Sequence, residues 1–418
     1  MHRAWILAAL FWAVGGCSSD VSTEYRIEAN YAVGDPQFVR TMGNLLGPPI
    51  LPGNTVSTLC NGDEIFPALL QGIRAAKKTI TLETYIYWSG TIGQEFADAL
   101  AERARAGVKV HVIIDWLGSS KIDGRYIEEL LHAGATVHTY HPIRFYDVAS
   151  FGRVDNRTHR KLLIIDGKVG FTGGVGIADI WRGNAQDEQH WRDNHYRVEG
   201  PIVAQLQATF MDNWMKISGE VLNGEEYFPL LEPTGKAAAQ VFKSSSGGGS
   251  QSMQLMFLLS IAAAHSHIQM ESAYFVPDDV TIKTLLAAKK RGVEIEIIVP
   301  GSKIDETVVR RASRSRWGDL LQNGIAIYEY EPTMFHCKQM IVDELWVSVG
   351  SSNLDNRSFR LNDEANLNVL SAEFAADQIR IFNRDKTQCT RMTYQNWSRR
   401  PLFGKFIESL ASLLGHEL

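Results

Sequence analysis

The amino-acid sequence predicts an α/β fold made of two similar halves that share one functional site. Three observations indicate this: strand and helix patterns alternate along most of the 418 residues, the order of these patterns recurs, and a short motif with histidine and lysine occurs once in each half. Strands that alternate with helices are typical of α/β units with a largely parallel sheet. The repeat is far longer than a solenoid unit, so we predict a duplicated domain.

The first half begins with a strand pattern in which apolar and polar residues alternate over residues 80–87. A helical pattern follows over residues 93–106 and is closed by Gly107. The nearly continuous apolar run over residues 108–115 predicts a buried strand. After another helix, a further strand is predicted at Thr136–Tyr140, ahead of the motif.

The second half repeats this order. A strand pattern over residues 268–275 is followed by a helical pattern over 280–290, which ends before Gly292. A buried strand is predicted over residues 293–299, and another at Ala326–Tyr330 again precedes the motif. The motif therefore occupies the same place in both halves.

Each copy of the motif has a histidine, a lysine two residues later and an aspartate five residues after the lysine. The copies are His159, Lys161 and Asp166, and His336, Lys338 and Asp343. Side chains two apart share one face of an extended strand, so each histidine and its lysine point the same way. Each aspartate falls at a turn, off that face, and we interpret it as holding the geometry rather than transferring protons. Two structural hairpins without chemistry are the alternative.

The residue types fit transfer of a phosphodiester. A neutral imidazole can attack phosphorus and form a phosphohistidine, and a second imidazole can serve as general acid and then base. The two lysines would stabilise charge on the phosphate oxygens, so no metal and no other cofactor is predicted. Small residues at Gly173-Gly174 and Gly350-Ser351 follow each motif at the same distance and are expected to let the backbone approach the phosphate.

Composition narrows the classes of partner. The formal net charge is −5, so no overall basic field exists to bind nucleic acid, and an anionic substrate must meet local positive charge. The four cysteines have no paired spacing, which argues against a zinc site or a disulfide framework.

The N-terminus predicts attachment to a membrane. Arg3 precedes an apolar run over residues 4–14, which is too short to span a bilayer and is typical of a secretory signal. Small residues then lead into Cys17, a pattern that resembles a bacterial lipoprotein cleavage box. We predict an exported lipoprotein anchored through Cys17 in a bacterial envelope; an uncleaved anchor with an incidental cysteine is the other interpretation.

These patterns divide the chain into four parts. They are a signal or lipoprotein segment (1–17), an N-terminal extension (18–52), a first domain (53–235), and a second domain with a C-terminal extension (236–418). The Ser/Gly-rich stretch 244–250 near the boundary is either a linker or a loop that faces the site.

The motifs and the stretches around them resemble the phospholipase D superfamily, and more closely the bacterial cardiolipin synthases. The resemblance covers residues 53–368. The stretches that carry it are Leu82–Ile86, Thr158–Lys161, Phe171–Gly174, Trp191–Asp193, Tyr274–Asp278, Gly350–Asp355 and Asn362–Leu367. It implies two phospholipase D-like domains packed with pseudo-two-fold symmetry, with the active site at their interface. It also implies a phosphatidyltransferase that acts on anionic phospholipids, above all phosphatidylglycerol, at a membrane surface.

The resemblance further implies individual roles. His159 is expected to attack phosphorus and His336 to act as acid and base, while Asp193 and Glu364 match the family's orienting carboxylates. Asn353 matches an asparagine that the family uses on the phosphate, but the first copy has Gly176 at that position.

Glu83 and Glu271 occupy equivalent positions in apolar strands, and a role in substrate binding is predicted for both. The alternative interpretation is that both glutamates are structural residues at the edge of a sheet. Three other functions stay open: a phospholipid hydrolase, a nuclease, and a lipid-binding lipoprotein without catalysis. The sequence predicts no particular protein partner.

Overall fold

A computed structural model of the chain describes residues 25–28, 30–142, 156–245 and 252–413. Helix α1 (Pro36–Thr41) and a π-helical turn (Met42–Leu46) precede the first half. The first half then consists of β1 (Leu51–Cys60), α2 (Asn61–Ala75), β2 (Thr79–Thr84), α3 (Thr91–Arg105), β3 (Lys109–Asp115), α4 (Gly124–His132), β4 (Thr136–Tyr140), β5 (Leu162–Ile165), β6 (Val169–Gly173), a 3-10 turn (Asp179–Trp181), β7 (Asn194–Glu199) and α5 (Val203–Ser218).

The second half repeats the same succession with added helices. It consists of β8 (Ala237–Ser244), α6 (Ser252–Ala262), β9 (His267–Ser272), α7 (Asp279–Lys290), β10 (Glu294–Pro300), α8 (Thr307–Ser315), α9 (Gly318–Gln322), β11 (Ala326–Tyr330), β12 (Lys338–Val342), β13 (Trp346–Gly350), α10 (Asn356–Arg360), β14 (Glu364–Leu370), α11 (Ala372–Lys386), β15 (Cys389–Met392), α12 (Tyr394–Ser398) and α13 (Leu402–Leu413). Helix α8 and everything after α11 have no equivalent in the described part of the first half.

In the described part of the chain, fifteen strands form one sheet in the order β15-β11-β10-β9-β12-β13-β14-β8-β1-β7-β6-β5-β2-β3-β4. The order 11-10-9-12-13-14-8 in the second half mirrors 4-3-2-5-6-7-1 in the first, so a pseudo-two-fold axis passes between β8 and β1. These central strands pair antiparallel with a shift in register between Leu51 and Asn54. The sequence-based prediction of a duplicated α/β fold is confirmed. The prediction of a largely parallel sheet is wrong: in the described part of the chain only β2–β3, β3–β4, β9–β10 and β10–β11 pair parallel. The other pairs are antiparallel, because each motif forms a hairpin whose strands return beside one another.

Helices cover both faces of this sheet. The helices α2, α3 and α4 bury one apolar cluster of the first half, and α6, α7 and α9 bury its counterpart in the second. A third cluster contains residues of both halves, such as Leu206 of α5 and Phe374 of α11 against Ile164 and Val347 of the sheet. Burial of apolar surface therefore joins the halves as well as stabilising each one.

The hairpins that follow the motifs form as the sequence indicates. Asp166 and Gly167 have positive φ angles of 51° and 62°, and Lys168 donates a backbone hydrogen bond to Ile165 at 2.9 Å. Two central residues with positive φ define the turn that matches the twist of a β-hairpin, and Asp-Gly favours it. The second copy builds the same turn with Asp343 and Glu344, at 52° and 56°.

The predicted elements are present with shifted ends. The strands predicted over 80–87 and 268–275 end earlier, at Thr84 and Ser272, because the chain turns there toward the cavity described below. The predicted division at 235/236 falls between α5 and β8 and stays a prediction about domains. Cys17 and most of the 244–250 stretch lie outside the described residues. No helix in the described part is both long and apolar enough to cross a membrane.

Candidate active site

A cavity of about 690 Å³ lies where the two halves meet, and both motif histidines line it. Its wall combines aromatic residues with a few polar and charged ones. The aromatic members are Tyr85, Trp88, Trp181, Trp191 and Tyr274, and the charged ones besides the motif are Lys121, Asp305, Glu306, Asp355 and Arg357. A concave, largely apolar wall with a few converging polar groups is the usual form of a small-molecule site.

Backbone hydrogen bonds that cross from one half to the other bring the motifs together. His159 N donates to Asp363 O at 2.9 Å, and Asp363 N donates to Arg157 O at 2.9 Å. In the same way His336 N donates to Arg192 O at 2.8 Å. Each motif histidine therefore lies beside the residue that precedes the orienting carboxylate of the other half.

The consequence is a crossed arrangement of carboxylates. Nδ1 of His159 lies 3.0 Å from both carboxylate oxygens of Glu364, which belongs to the second half. Nδ1 of His336 lies 2.7 Å from Oδ2 of Asp193, which belongs to the first. A carboxylate only accepts hydrogen bonds when ionised, so each Nδ1 donates its proton and each Nε2 keeps a lone pair. In both rings the basic nitrogen is therefore Nε2.

The surroundings of the two carboxylates differ. The hydroxyl of Ser351 donates to Glu364, and Ala365 N donates to that hydroxyl at 3.0 Å. Asp193 accepts instead from the indole of Trp181 at 3.2 Å and from its neighbour's amide, Asn194 N, at 2.8 Å. Each histidine therefore contacts one carboxylate, but the groups that donate hydrogen bonds to the two carboxylates differ.

The aromatic neighbours of the histidines also differ. The ring of Tyr85 packs edge-on to His159 with centroids 5.2 Å apart. The rings of Trp181 and Trp191 lie 5.5 Å and 5.4 Å from His336. Bulky aromatic rings on one side exclude water more completely than a single tyrosine, so the two imidazoles experience different solvation.

Burial and the nearby lysines keep both histidines neutral. Burial, together with the charge of Lys161, lowers the pKa of His159 to about 4 despite Glu364. Burial and the charge of Lys338 lower the pKa of His336 to about 3. Loss of solvation always favours the neutral form of an imidazole.

The lysines are themselves buried. Burial lowers the pKa of Lys161 to about 7, and it lowers that of Lys338 as well. Each ammonium donates to the main-chain oxygen of its own histidine, at 2.7 Å for Lys161. An anion in the cavity would favour the protonated form of both buried amines, so these lysines suit a phosphate group.

The motif aspartates lie at the far ends of the hairpins. Asp166 accepts hydrogen bonds from the amides of Lys77, Lys78 and Thr79 at 2.7–3.2 Å. Asp343 accepts three equivalent bonds from residues 265–267 at 2.8–3.0 Å. Among the described residues that line the cavity, neither aspartate occurs. The geometry agrees with holding the start of β2 and of β9, and it offers no path for proton transfer.

The small residues after each motif make room for the carboxylates. A Cβ atom on Gly174 would overlap the carboxylate of Asp193, and one on Gly173 would lie 2.6 Å from Nδ1 of His195. Ser351, at the position of Gly174, uses its hydroxyl on Glu364. Gly174 and Ser351 thus contact the orienting carboxylates, while Gly173 and Gly350 lie against the neighbouring residues His195 and Asn366. The predicted direct contact with phosphate stays a prediction.

Asn353 lines the cavity, and its Oδ1 accepts from Tyr274 N at 3.3 Å, which leaves its NH2 group for a ligand. Its equivalent Gly176 packs against Ile86 and the ring of Trp181. An asparagine at Gly176 would meet Cβ of Ile86 at 2.8 Å, so the tight packing accounts for the missing amide.

Glu83 and Glu271 are brought to the opposite face of the sheet. Glu83 pairs with Leu162 and Glu271 with Gln339, the residues just after the motif lysines. Neighbouring residues of a strand point to opposite faces, so both glutamates face away from the cavity. Glu83 accepts from Asn213 at 2.6 Å, which steadies the segment before His159 through Thr158. The structure therefore gives no support to a direct contact of either glutamate with substrate.

Behind the second motif, ligand atoms of Glu271, Cys337 and Asp385 lie within 4.8 Å of one another. This is the one such group found among the described residues. The guanidinium of Arg192 lies 2.6 Å from Asp385 and occupies the place where a cation would neutralise the carboxylates. Burial raises the pKa of Glu271 to about 8, so this carboxyl group is largely neutral without a metal. A metal does not fit these residues.

Sequence reasoning missed several members of the cavity. Trp181 and Arg357 lie outside the stretches quoted for the resemblance, while Tyr85, Trp191 and Tyr274 lie within them without a predicted role. The position of Trp191, two residues before Asp193, could have indicated its place in the cavity. Residues this close in the chain reach the same interface between the halves.

Two histidine–lysine pairs, placed by repeated α/β halves around one cavity, define an enzyme of the phospholipase D superfamily. The family model described as "Cardiolipin synthase, PLD-like domain" matches residues 69–214 and 258–386. The chain belongs to this family of phosphatidyltransferases.

Relatives agree with this assignment. Cardiolipin synthase 2 of Bacillus anthracis is 34% identical over 359 residues, which is 85% of this chain and 69% of that protein. Cardiolipin synthase of Geobacillus kaustophilus is 33% identical over 371 residues, 88% of this chain and 73% of that protein. The crystal structure of phosphatidylserine synthase from Haemophilus influenzae has the same fold, with a TM-score of 0.70 at 15% identity, over 91% of this chain and 99% of that one.

Proposed function

We propose that this protein transfers a phosphatidyl group from one phosphatidylglycerol molecule to a second, giving cardiolipin and glycerol. The observation that carries the proposal is the pair of imidazoles that line one cavity, each with Nδ1 on a carboxylate and a buried lysine nearby. A reaction in two steps through a covalent intermediate needs one nucleophile and one proton carrier, and the two rings supply both.

In the first step Nε2 of His159 attacks phosphorus and the bond from phosphorus to the glycerol oxygen breaks. His336, which takes up a proton from solvent when the substrate binds, gives that Nε2 proton to the leaving oxygen, and Glu364 stabilises the positive charge that forms on His159. In the second step His336 takes the proton of the acceptor hydroxyl, whose oxygen attacks phosphorus and releases His159. The atoms balance, and both histidines return to their starting state.

The charge of the substrate prepares His336 for this role. In the empty cavity, burial and Lys338 hold the pKa of His336 to about 3. A phosphodiester anion between Lys161 and Lys338 opposes the lysine charges and therefore raises the pKa of this histidine. When the substrate binds, His336 is thus expected to take up from solvent the proton that the leaving alkoxide needs.

His159 is the better candidate for the nucleophile. Its Nδ1 contacts both oxygens of Glu364, and Ser351 holds that carboxylate in place. Nδ1 of His336 has the ammonium of Lys338 at 3.0 Å in addition to Asp193. An adjacent cation weakens the basicity of His336 and suits a group that must release a proton to the leaving oxygen.

The test uses purified full-length protein with phosphatidylglycerol labelled in its head group. We expect cardiolipin and free glycerol in equal amounts, and no turnover with His159→Ala or His336→Ala. His267→Ala is the matched control, since this exposed histidine lies at the other end of β9. Phosphatidic acid formed without cardiolipin would show that the enzyme is a hydrolase and not a transferase. Full activity of His159→Ala would refute the shared site.

We also propose that the chain is an exported lipoprotein held at a bacterial membrane through Cys17. The support is the sequence pattern alone, because this residue lies outside the described part of the chain. Intact-mass measurement of the wild type and of Cys17→Ser tests it. A wild-type mass without an added diacylglyceryl group would contradict it.

A further inference from the structure

The C-terminal helix α13 presents an apolar surface to solvent. Leu402, Phe403 and Leu410 are exposed to 82%, 74% and 48%. At about 100° per residue, these three positions fall within one arc of roughly 100° on the helix. A run of exposed apolar side chains on one helix face indicates an interaction site, since isolated exposed leucines are common but clustered ones are not.

The opposite face of α13 carries the helix's buried charge. Glu408 is buried and accepts ion pairs from Arg314 at 3.4 Å and from Arg400 at 3.2 Å. Ala411 packs into a small apolar cluster with Val309 and Ala312 of α8. The helix therefore buries its glutamate against the protein and leaves leucine and phenylalanine outside, the reverse of an ordinary surface helix.

This helix lies beside the mouth of the catalytic cavity. Helix α13 packs on α8, and Val309 of α8 lines both the cavity and the cluster that α13 completes. Asp305 and Glu306, just before α8, also line the cavity. Helix α13 therefore adjoins the wall of the cavity through α8.

The opposite rim has matching chemistry. Leu117, exposed at the surface, lines the cavity together with Trp88, and the ammonium of Lys121 lies 3.9 Å from the centre of the Trp88 ring. Tryptophan and lysine with an apolar neighbour are typical of side chains at a membrane interface. The segment 116–123 and α8 follow the equivalent strands β3 and β10, so the pseudo-two-fold axis places both rims at the same end of the axis.

The charges around α13 favour an anionic surface. Arg311 on α8 and Arg399 just before α13 are both exposed, and no acidic residue lies within α8. The exposed acidic residues Asp305 and Glu306 lie in the turn before α8, at the cavity wall. Basic residues beside an apolar helix face add electrostatic attraction to anionic lipid to the burial of apolar surface.

We propose that α8 and α13, with the rim at Leu117, Trp88 and Lys121, form a surface that docks on a bilayer containing anionic phospholipid. The pseudo-two-fold axis then stands along the membrane normal, and the cavity opens onto the lipid head groups. The choice of a bilayer as the occupant rests on the proposed function, since the substrates of that reaction reside in a membrane.

Hydrogen–deuterium exchange of the full-length protein tests the surface directly. With vesicles of phosphatidylglycerol and phosphatidylcholine, we expect slower exchange over residues 400–413 and 116–123, and no change over residues 225–232. This readout is local, so attachment through the N-terminus does not affect it. Unchanged exchange over 400–413 would overturn the proposal, and so would protection that grows with protein concentration without vesicles, which would assign the face to a second copy.

Kinetics supply the second test. The double variant Leu402→Asp/Phe403→Asp should lose about ten-fold or more of the transfer rate on vesicles, because two apolar side chains no longer enter the lipid. Its rate on monomeric short-chain phosphatidylglycerol should equal that of the wild type. Leu230→Asp is the matched control, because Leu230 is 87% exposed but follows Tyr227 and Pro229, which contact the hairpin turn at Gly167, at the end of β5 remote from the cavity.

The exchange and rate measurements distinguish failure of the docking surface from failure of the proposed function. Equal losses on both substrates, or an equal loss with Leu230→Asp, would overturn the docking surface. If the wild type transfers neither substrate, the proposed function fails, while exchange on vesicles still decides the surface. Should the double variant fold poorly, Leu410→Asp takes its place, since this side chain is half exposed on the same face.

Discussion

The crossed carboxylates allow the roles of the two histidines to be separated by changing one atom at a time. Glu364→Gln keeps the shape of the side chain but removes the charge beside Nδ1 of His159. Asp193→Asn does the same beside His336, and the two variants are matched controls for each other. A hydrogen bond to a charged group contributes about 1.5–3 kcal/mol, which corresponds to a loss of roughly 10- to 150-fold in rate.

The assay compares two leaving groups. With phosphatidylglycerol, both variants should lose activity in that range, because the nucleophile and the acid are both needed. With phosphatidyl-p-nitrophenol, the phenolate leaves without a proton, so Asp193→Asn should recover formation of the phosphohistidine to within about two-fold of the wild type. Glu364→Gln should stay slow, because attack by His159 is still required.

The measurement is the burst of nitrophenolate in a single turnover, which reports the first step alone. Recovery of Glu364→Gln together with a slow Asp193→Asn would assign the nucleophile to His336 and refute the reasoning. Equal recovery of both variants would show that neither carboxylate acts through its histidine in the first step. Thermal unfolding of both proteins shows whether a buried carboxylate has been replaced without loss of the fold.

Three further predictions follow from the same geometry. The kcat/KM of the wild type should fall as the pH rises above about 4, because the reaction needs a proton on His336, whose pKa in the free enzyme is about 3. It should fall more steeply above about 7 as Lys161 loses its proton, whereas the fall of kcat should lie at higher pH because a bound phosphate anion raises the pKa of both groups. A kcat/KM profile that is flat between pH 5 and 9 would contradict this. Asp166→Ala should lower the free energy of unfolding, measured by denaturation, by about 1–3 kcal/mol, because three backbone amides lose their acceptor. Its activity per folded molecule should stay nearly unchanged. A variant that is stable but inactive would instead show that Asp166 is catalytic. Ser351→Gly, which copies Gly174, should slow the first step about 2- to 10-fold by freeing Glu364, and the single-turnover burst would detect no change if this hydroxyl were idle.

Periodicity and the repeat predicted the α/β class, the duplication and the pairing of each histidine with its lysine. These features depend on local patterns, because strand parity alone decides which side chains share a face. Parity also predicted that Asp166 would leave that face, and the structure binds it to the amides of Lys77–Thr79.

Contacts between the halves could not be predicted in this way. The pairing of Glu364 with His159 depends on a backbone bond from His159 to Asp363, residues about 200 positions apart. The orientation of Glu83 away from the cavity follows from its register with Leu162, which the sequence does not specify. The buried side of α13 is likewise decided by its packing on α8.

The crossed bonds also bear on how such a chain arises. A protein with a single half would leave its histidine without an orienting carboxylate, unless a second copy of the same chain supplied one by symmetry. Fusing two copies into one gene removes the need for partners to find each other, and it frees each copy to mutate separately. Serine and glutamate serve one histidine, and glycine and aspartate serve the other, which is the divergence that this freedom permits.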